Sequence, residues 1–88
     1  MMSEKEILYV FSKYPFHESS YPLFISFDYE KVKEAFDNEK KKRGYGYYIR
    51  KYSLNTPLQF TSGKTIEHIE IKYNGEIREW NGKKFVVK

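Results

Sequence analysis

The fold is decided by the stretch Leu23-Phe24-Ile25-Ser26-Phe27-Asp28-Tyr29-Glu30-Lys31-Val32-Lys33-Glu34-Ala35-Phe36, in which the hydrophobic period changes at Asp28. Before Asp28 the apolar residues follow the two-residue period of a strand. After it they recur at helical spacing, and this apolar stripe is formed by Tyr29, Val32, Ala35 and Phe36. Asp28 is a good N-cap, because its carboxylate can accept hydrogen bonds from the first free amides of a helix. The sequence therefore predicts a strand followed directly by an amphipathic helix that covers one face of a sheet.

The predicted helix ends at Gly44, since glycine readily takes the left-handed conformation that closes a helix. Four consecutive cations precede it, namely Lys40, Lys41, Lys42 and Arg43. Placed in the last turn, they would put positive charge at the negative end of the helix dipole.

Five further segments have strand patterns: residues 6–13, 47–54, 65–73, 76–80 and 83–87. The first is apolar on both faces, which is typical of a central strand. Residues 14–22 and 58–64 are predicted loops, and Asn74-Gly75 and Asn81-Gly82 are preferred two-residue hairpin turns. We predict an α+β fold in which a single helix packs on an antiparallel sheet, with the order β-β-α-β followed by a C-terminal β-meander.

Length and composition favour one small globular domain spanning residues 1–88. The hydrophobic fraction of 40% and the aromatic fraction of 19% supply enough large side chains for a single core. The absence of cysteine excludes disulfides and thiol nucleophiles. Residues 1–6 lack the apolar run of an export signal, and no apolar stretch is long enough to span a bilayer, so we expect a cytoplasmic protein without a membrane segment. The net charge of +4 favours an acidic partner surface or a phosphate backbone.

Two glycine motifs resemble nucleotide-binding loops, but both fail on spacing and context. Gly63-Lys64-Thr65 matches the end of a P-loop, yet Leu58 stands where its first glycine belongs, and a strand follows it instead of a helix. Gly44-Tyr45-Gly46 begins like a dinucleotide fingerprint, yet Ile49 stands where the third glycine belongs. We expect no nucleotide cofactor.

Residue types used in catalysis and metal binding occur without a supporting arrangement. His17-Glu18-Ser19-Ser20 contains triad residue types, but neighbours along a chain point apart, so a surface loop explains them better. His68, Glu70 and Lys72 share one strand face, which a solvated polar face explains, and no third metal ligand stands at a matching position. We therefore predict no catalytic residue, no metal and no enzymatic activity.

Arg43-Gly44-Tyr45-Gly46-Tyr47 matches the first five positions of the RNP1 motif of RNA-recognition domains, whose aromatic residues stack on bases. Leu8-Tyr9-Val10 resembles the companion RNP2 strand. The match ends there, because Tyr48 replaces an aliphatic residue and Arg50 replaces an aromatic one. The predicted order of elements also differs from an RNA-recognition motif. An alternative explanation is that the cations complement a helix end while the tyrosines pack in a sheet.

Residues 7–55 resemble a class of small proteins common in bacteriophages and prophages. The resemblance rests on the hydrophobic first strand Ile7-Leu8-Tyr9-Val10-Phe11, on Phe27-Asp28 leading into a charged helix, and on a third strand with Tyr47, Ile49, Tyr52 and Leu54. It implies a compact accessory protein that acts stoichiometrically, for example by blocking a host enzyme or a defence complex such as a CRISPR effector.

The sequence is compatible with two functions. The first is a non-enzymatic phage-type accessory or inhibitor protein that binds another protein, because Tyr and Arg are favoured at interface hot spots. The alternative is a small basic domain that binds single-stranded nucleic acid. Both would use the same predicted partner-binding residues: Lys40, Lys41, Lys42, Arg43, Tyr45, Tyr47, Arg50 and Lys51. The 14–21 loop is a second candidate surface, and an exposed edge strand of the meander would allow self-association.

Overall fold

The computed structural model of the protein describes residues 7–53 and 63–88. Its elements follow the predicted order β-β-α-β and then a meander: β1 (Ile7–Pro15), β2 (Tyr21–Ser26), α1 (Tyr29–Asn38), β3 (Tyr45–Ser53), β4 (Lys64–Ile71), β5 (Ile77–Trp80) and β6 (Phe85–Val87). The strands form one antiparallel six-stranded sheet in the order β2-β1-β3-β4-β5-β6. The α+β fold class is therefore confirmed.

The strand β1 lies inside the sheet, as its apolar pattern predicts, with β2 on one side and β3 on the other. It is longer than predicted, because Tyr14 pairs with Gly46 and Pro15 pairs with Tyr45 of β3. This pairing takes two residues from the predicted 14–22 loop. Most of the predicted 58–64 loop lies outside the described residues, and Lys64 already belongs to β4.

Helix α1 begins as predicted and ends earlier than predicted. Asp28 is its N-cap, and the Asp28 carboxylate accepts a 3.0 Å hydrogen bond from the amide of Glu30. The helix ends at Asn38, with Glu39 as an extended C-cap, so the prediction of an end at Gly44 was wrong. Gly44 does have a positive φ of 83°, but it leads into β3, and its amide donates to the Ile71 carbonyl. The four cations therefore lie in the connection between α1 and β3.

The core lies between α1 and the central strands. It consists of the buried side chains of Phe11, Val32, Phe36, Tyr47, Ile49 and Ile71. The rings of Phe11 and Phe36 meet edge to face with centroids 5.4 Å apart, which joins the helix to β1. Val32 and Phe36 belong to the apolar stripe predicted for the helix, and they are its buried members.

The two Asn-Gly pairs lie in the predicted connections of the meander, but neither forms the loop by itself. In the first, Lys72 and Glu76 pair across the loop, and Gly75 takes a positive φ of 93°. In the second, the Asn81 amide donates to the Lys84 carbonyl, which places Gly82 and Lys83 at the tip. The side chains of both asparagines accept hydrogen bonds from amides further along their loops and so stabilise them.

Candidate functional site

The eight residues predicted to bind a partner do not form one surface. Lys40, Lys42 and Arg43 are exposed in the α1–β3 connection. Alternation along β3 places its residues on opposite faces of the sheet, so Arg50 and Lys51 point apart. A single site that uses all eight residues is therefore incompatible with the fold.

The side chain of Lys41 binds back to the end of the helix that precedes it. Its ammonium donates hydrogen bonds to the carbonyls of Phe36 and Glu39, the second at 3.1 Å, and lies 4.5 Å from the centre of the Phe36 ring. Burial lowers the pKa of this lysine, although the carboxylates of Asp37 and Glu39 act in the opposite direction. Lys41 therefore closes the C-terminal end of α1 and covers the core.

Tyr47 is a core residue, which corrects its prediction as a partner-binding residue. Its side chain is 0% exposed, and its hydroxyl accepts a 2.7 Å hydrogen bond from the amide of Lys42. Tyr45 lies on the same face of β3 and is half-buried, with the Lys13 ammonium 4.9 Å from its ring centre. The RNP1-like tyrosines thus face the helix, where no base could stack on Tyr47.

The glycines of the same motif allow close packing of rings on the opposite face of the sheet, which we call the open face. A Cβ atom at Gly46 would lie 2.1 Å from Cζ of Tyr14, because the Tyr14 ring crosses the strand at this point. A Cβ atom at Gly44 would lie 2.5 Å from Cε1 of Tyr73. The Gly-Tyr-Gly-Tyr pattern is therefore explained by packing, with tyrosines under the helix and glycines under rings of the open face.

A hydrogen-bonded cluster of Tyr14, His68 and Glu70 lies at the centre of the open face. The Tyr14 hydroxyl donates to the Glu70 carboxylate and lies 2.9 Å from Nε2 of His68. Because the hydroxyl has one proton and gives it to Glu70, Nε2 of His68 must donate to the Tyr14 oxygen. Sequence reasoning missed this cluster, since Tyr14 is separated from both partners by more than 50 residues.

The cluster shifts the pKa values of two of its members. Burial lowers the pKa of His68 from its ordinary 6.5, and this effect exceeds the opposing effect of the Glu70 carboxylate. Burial, followed by the hydrogen bond to Glu70, raises the pKa of Tyr14 above its usual range. Burial therefore favours the neutral imidazole of His68, and the side chain expected on a solvated polar face is partly buried and hydrogen-bonded to Tyr14.

We expect acid to weaken the fold through His68. Because its folded-state pKa lies below 6.5, the unfolded chain binds the proton more readily, and stability falls as the pH drops below about 6.5. The loss is at most about 1.4 kcal/mol per pH unit. Urea unfolding at pH 7.5 and pH 5.0 should show a smaller acid loss for His68→Gln than for the wild type. His17→Gln, at the exposed histidine, is the matched control. Equal acid losses in all three proteins would contradict the prediction.

The sheet edge formed by β2 is a second candidate site. Its apolar side chains are exposed, with Ile25 at 53% and the following Phe27 at 60%. No charged residue occurs from Ser19 to Phe27. The prediction of an exposed edge at the meander also holds for β6, but that strand has three residues. Long uncharged edges are unusual, because they invite pairing with another chain.

The structure places the remaining candidate motifs at the start of a strand and in an exposed loop. Gly63-Lys64-Thr65 leads into β4, which leaves no helix N-terminus for a phosphate. His17 is exposed and stacks on Tyr73 with ring centroids 6.0 Å apart. Within residues 7–53 and 63–88, no group of three potential ligands could hold a metal ion. No helix in that part of the chain is long and apolar enough to cross a membrane.

A cavity of about 280 Å³ opens between α1 and β4, and three of its charged groups pair with one another. Lys33 lies 3.1 Å from the carboxylate of Asp37 and 3.6 Å from that of Glu67. Tyr29, on the same side of the sheet, donates a 2.8 Å hydrogen bond to Glu67. These groups join the helix to the sheet.

Compared with protein-family models, curated proteins and solved structures, the chain has no match.

Proposed function

We propose that the protein is a non-enzymatic binding protein that pairs with an extended strand of another protein along β2. The observation that carries the proposal is the uncharged, exposed edge of this strand. Strand addition would satisfy the outward-pointing amides and carbonyls of β2, and the flanking side chains would give specificity. Such stoichiometric binding is also what the resemblance to phage accessory proteins implies, with a host enzyme or a defence complex as the partner.

The half of β2 that follows Leu23 is best suited to pairing. Pro22 has no amide proton, and the register of β2 against β1 shifts next to it, so the first half of the edge is irregular. The second half is regular, with Phe24 opposite Phe11 and Ile25 opposite Val10. Phe24 and Ile25 therefore project to opposite faces, where a paired strand could contact one on each side.

A strand of different sequence suits this edge better than a second copy. In a two-fold antiparallel pair of β2 strands, both contributing regular segments would be short, because Pro22 and the irregular register limit each copy in the same way. A foreign strand is free of this symmetry. Its pairing residues should be apolar and uncharged, to match Leu23, Phe24 and Ile25.

We expect Ile25→Lys to weaken partner binding at least about tenfold, since a paired strand would bury the new charge. The matched control is Val87→Lys on β6, because Val87 is 58% exposed and also lies on an edge strand. Tagged wild-type and variant proteins would be used to capture partners from the native host, and the recovered complex would be quantified by its stoichiometry. Because both side chains are exposed, the variants should unfold at the wild-type temperature.

Two outcomes would contradict the proposal. One is that the wild-type protein recovers no stoichiometric protein partner. The other is that Ile25→Lys and Val87→Lys reduce recovery equally. Light scattering on the isolated protein separates self-association, because a dimer that Ile25→Lys dissociates would make a second copy the occupant of the edge.

A further inference from the structure

The open face carries a continuous row of aromatic rings. The row begins at the exposed Tyr73 and crosses the sheet through successive ring contacts, with centroid distances between 4.7 and 6.2 Å. Its members in order are Tyr73, Phe16, Tyr14, Tyr48, His68, Phe85 and Trp80. We call this set the ring row. None of its members is fully buried, so each leaves part of its surface to solvent.

Cations lie against the ring row along its length. The Arg50 guanidinium is 4.7 Å from the centre of the Tyr48 ring, and that of Arg78 is 5.3 Å from the centre of Phe85. The Lys72 ammonium is 5.8 Å from the centre of Phe16. These contacts hold positive charge beside the rings while leaving the cations partly exposed.

Glu70, an acidic residue beside the ring row, already has partners within the protein. The Glu70 carboxylate accepts the Tyr14 hydroxyl proton and lies 4.0 Å from the Arg78 guanidinium. Its negative charge is therefore partly compensated. Among the described residues that contact the row, the cations Arg50, Lys72 and Arg78 outnumber the carboxylate of Glu70. The net charge of the whole chain is +4.

From this arrangement we infer that the open face binds single-stranded nucleic acid. Aromatic rings offer stacking surfaces that accept any base, and neighbouring cations neutralise the phosphates. Tyr48, Trp80 and Tyr73 would contact bases, and Arg50, Arg78 and Lys72 would contact phosphates. The site differs from the one predicted from sequence: it lies on the opposite face of β3 from Tyr45 and Tyr47, and of the predicted residues it retains Arg50.

The charge pattern favours nucleic acid over a protein partner at this face. Each cation is placed beside a ring, which matches the alternation of base and phosphate in a nucleic acid strand. The β2 edge has no such cation within residues 19–27. The two surfaces are thus chemically different, and this inference does not rest on the function proposed for β2.

The single tryptophan gives a direct readout, because Trp80 is a member of the ring row. Fluorescein-labelled dT15 and rU15 would be titrated with the wild-type protein at 20 mM to 200 mM NaCl, following fluorescence anisotropy. Unlabelled oligonucleotides would be titrated against Trp80 fluorescence. We expect binding that weakens steeply with salt, together with quenching of Trp80. Comparison of the two oligonucleotides distinguishes a DNA ligand from an RNA ligand.

Two double variants with equal charge loss locate the site. Arg50→Gln with Arg78→Gln should reduce the magnitude of the negative slope of log affinity against log salt by about 1.4, because each neutralised phosphate of a single strand contributes about 0.7 to that magnitude. Lys40→Gln with Lys42→Gln removes two exposed cations from the α1–β3 connection and should leave the slope near that of the wild type. Glutamine keeps much of the apolar stem that packs on the rings, and circular dichroism would verify folding.

The inference would be overturned by an absence of binding at 20 mM NaCl, by binding that is insensitive to salt, or by binding without a change in Trp80 fluorescence. A larger loss in the Lys40 and Lys42 variant than in the arginine variant would also overturn it, and would assign binding to the α1–β3 connection. Ile25→Lys should bind both oligonucleotides like the wild type. Loss of partner capture in that variant therefore tests the β2 edge alone.

Discussion

Gly46→Ala is expected to lower the free energy of unfolding by about 3 kcal/mol. The added methyl carbon would lie 2.1 Å from Cζ and 2.3 Å from the hydroxyl oxygen of Tyr14, so the ring has to move off the strand. That movement would also break the hydrogen bonds of Tyr14 to His68 and Glu70, which lie in a partly buried cluster. Urea unfolding of the wild type and the variant at pH 7.5 measures the loss.

The cause of this loss can be isolated with a double-mutant cycle. In a Tyr14→Ala background the clash is absent, and Gly46→Ala should change stability by less than about 1 kcal/mol. Gly82→Ala is a matched control at a glycine with φ of 100° and no atom within 4 Å of an added Cβ, so its effect comes only from the backbone and should be about 1 kcal/mol. Equal losses for Gly46→Ala in both backgrounds would rule out the ring contact as the cause.

The start of the helix could be predicted because it is determined locally. Asp28 caps the helix through its own side chain, and the change of hydrophobic period occurs at the same residue. The end of the helix depends on one side-chain contact and one tertiary contact. The Lys41 side chain binds the Phe36 and Glu39 carbonyls from outside the helix, and Gly44 hydrogen-bonds to Ile71 of β4. Neither partner can be read from the spacing of residues 38–44.

The open face could not be predicted because it depends on strand neighbours and on their register. Alternation along β3 shows that the tyrosines and glycines of residues 44–47 lie on opposite faces, but not which face meets the helix. Similarly, the sequence predicts Tyr14 in a loop, and its place on the sheet follows from its pairing with Gly46. The ring row combines residues from five strands and two loops. Its members show no spacing that a motif search could find.

The β2 edge could be predicted from the sequence only in part. Its strand pattern and its lack of charge are evident in the sequence, yet the same pattern would fit a buried central strand. The sheet order places it at the edge, where its apolar side chains are exposed on both faces. Edge position converts an ordinary apolar strand into a candidate binding surface.

Tyr47 tests the partner-binding site predicted from sequence against the packing of the fold, because the two assign opposite roles to its side chain. As a surface residue that binds a partner, Tyr47 could be replaced with an effect on stability within about 0.5 kcal/mol. As a fully buried core residue, Tyr47→Ala should lower the free energy of unfolding by about 3–5 kcal/mol. In a small domain this loss would leave much of the protein unfolded at 37 °C.

Tyr47→Phe refines the test, because it keeps the ring and removes only the hydroxyl that accepts the Lys42 amide proton. We expect it to lower stability by about 1 kcal/mol, which is the usual contribution of one hydrogen bond. Tyr21→Ala is the control, since Tyr21 is 43% exposed and its replacement should cost much less than that of Tyr47. Thermal and urea unfolding of the three variants give the ranking. A Tyr47→Ala protein as stable as Tyr21→Ala would place Tyr47 outside the core and return it to the candidate binding surface.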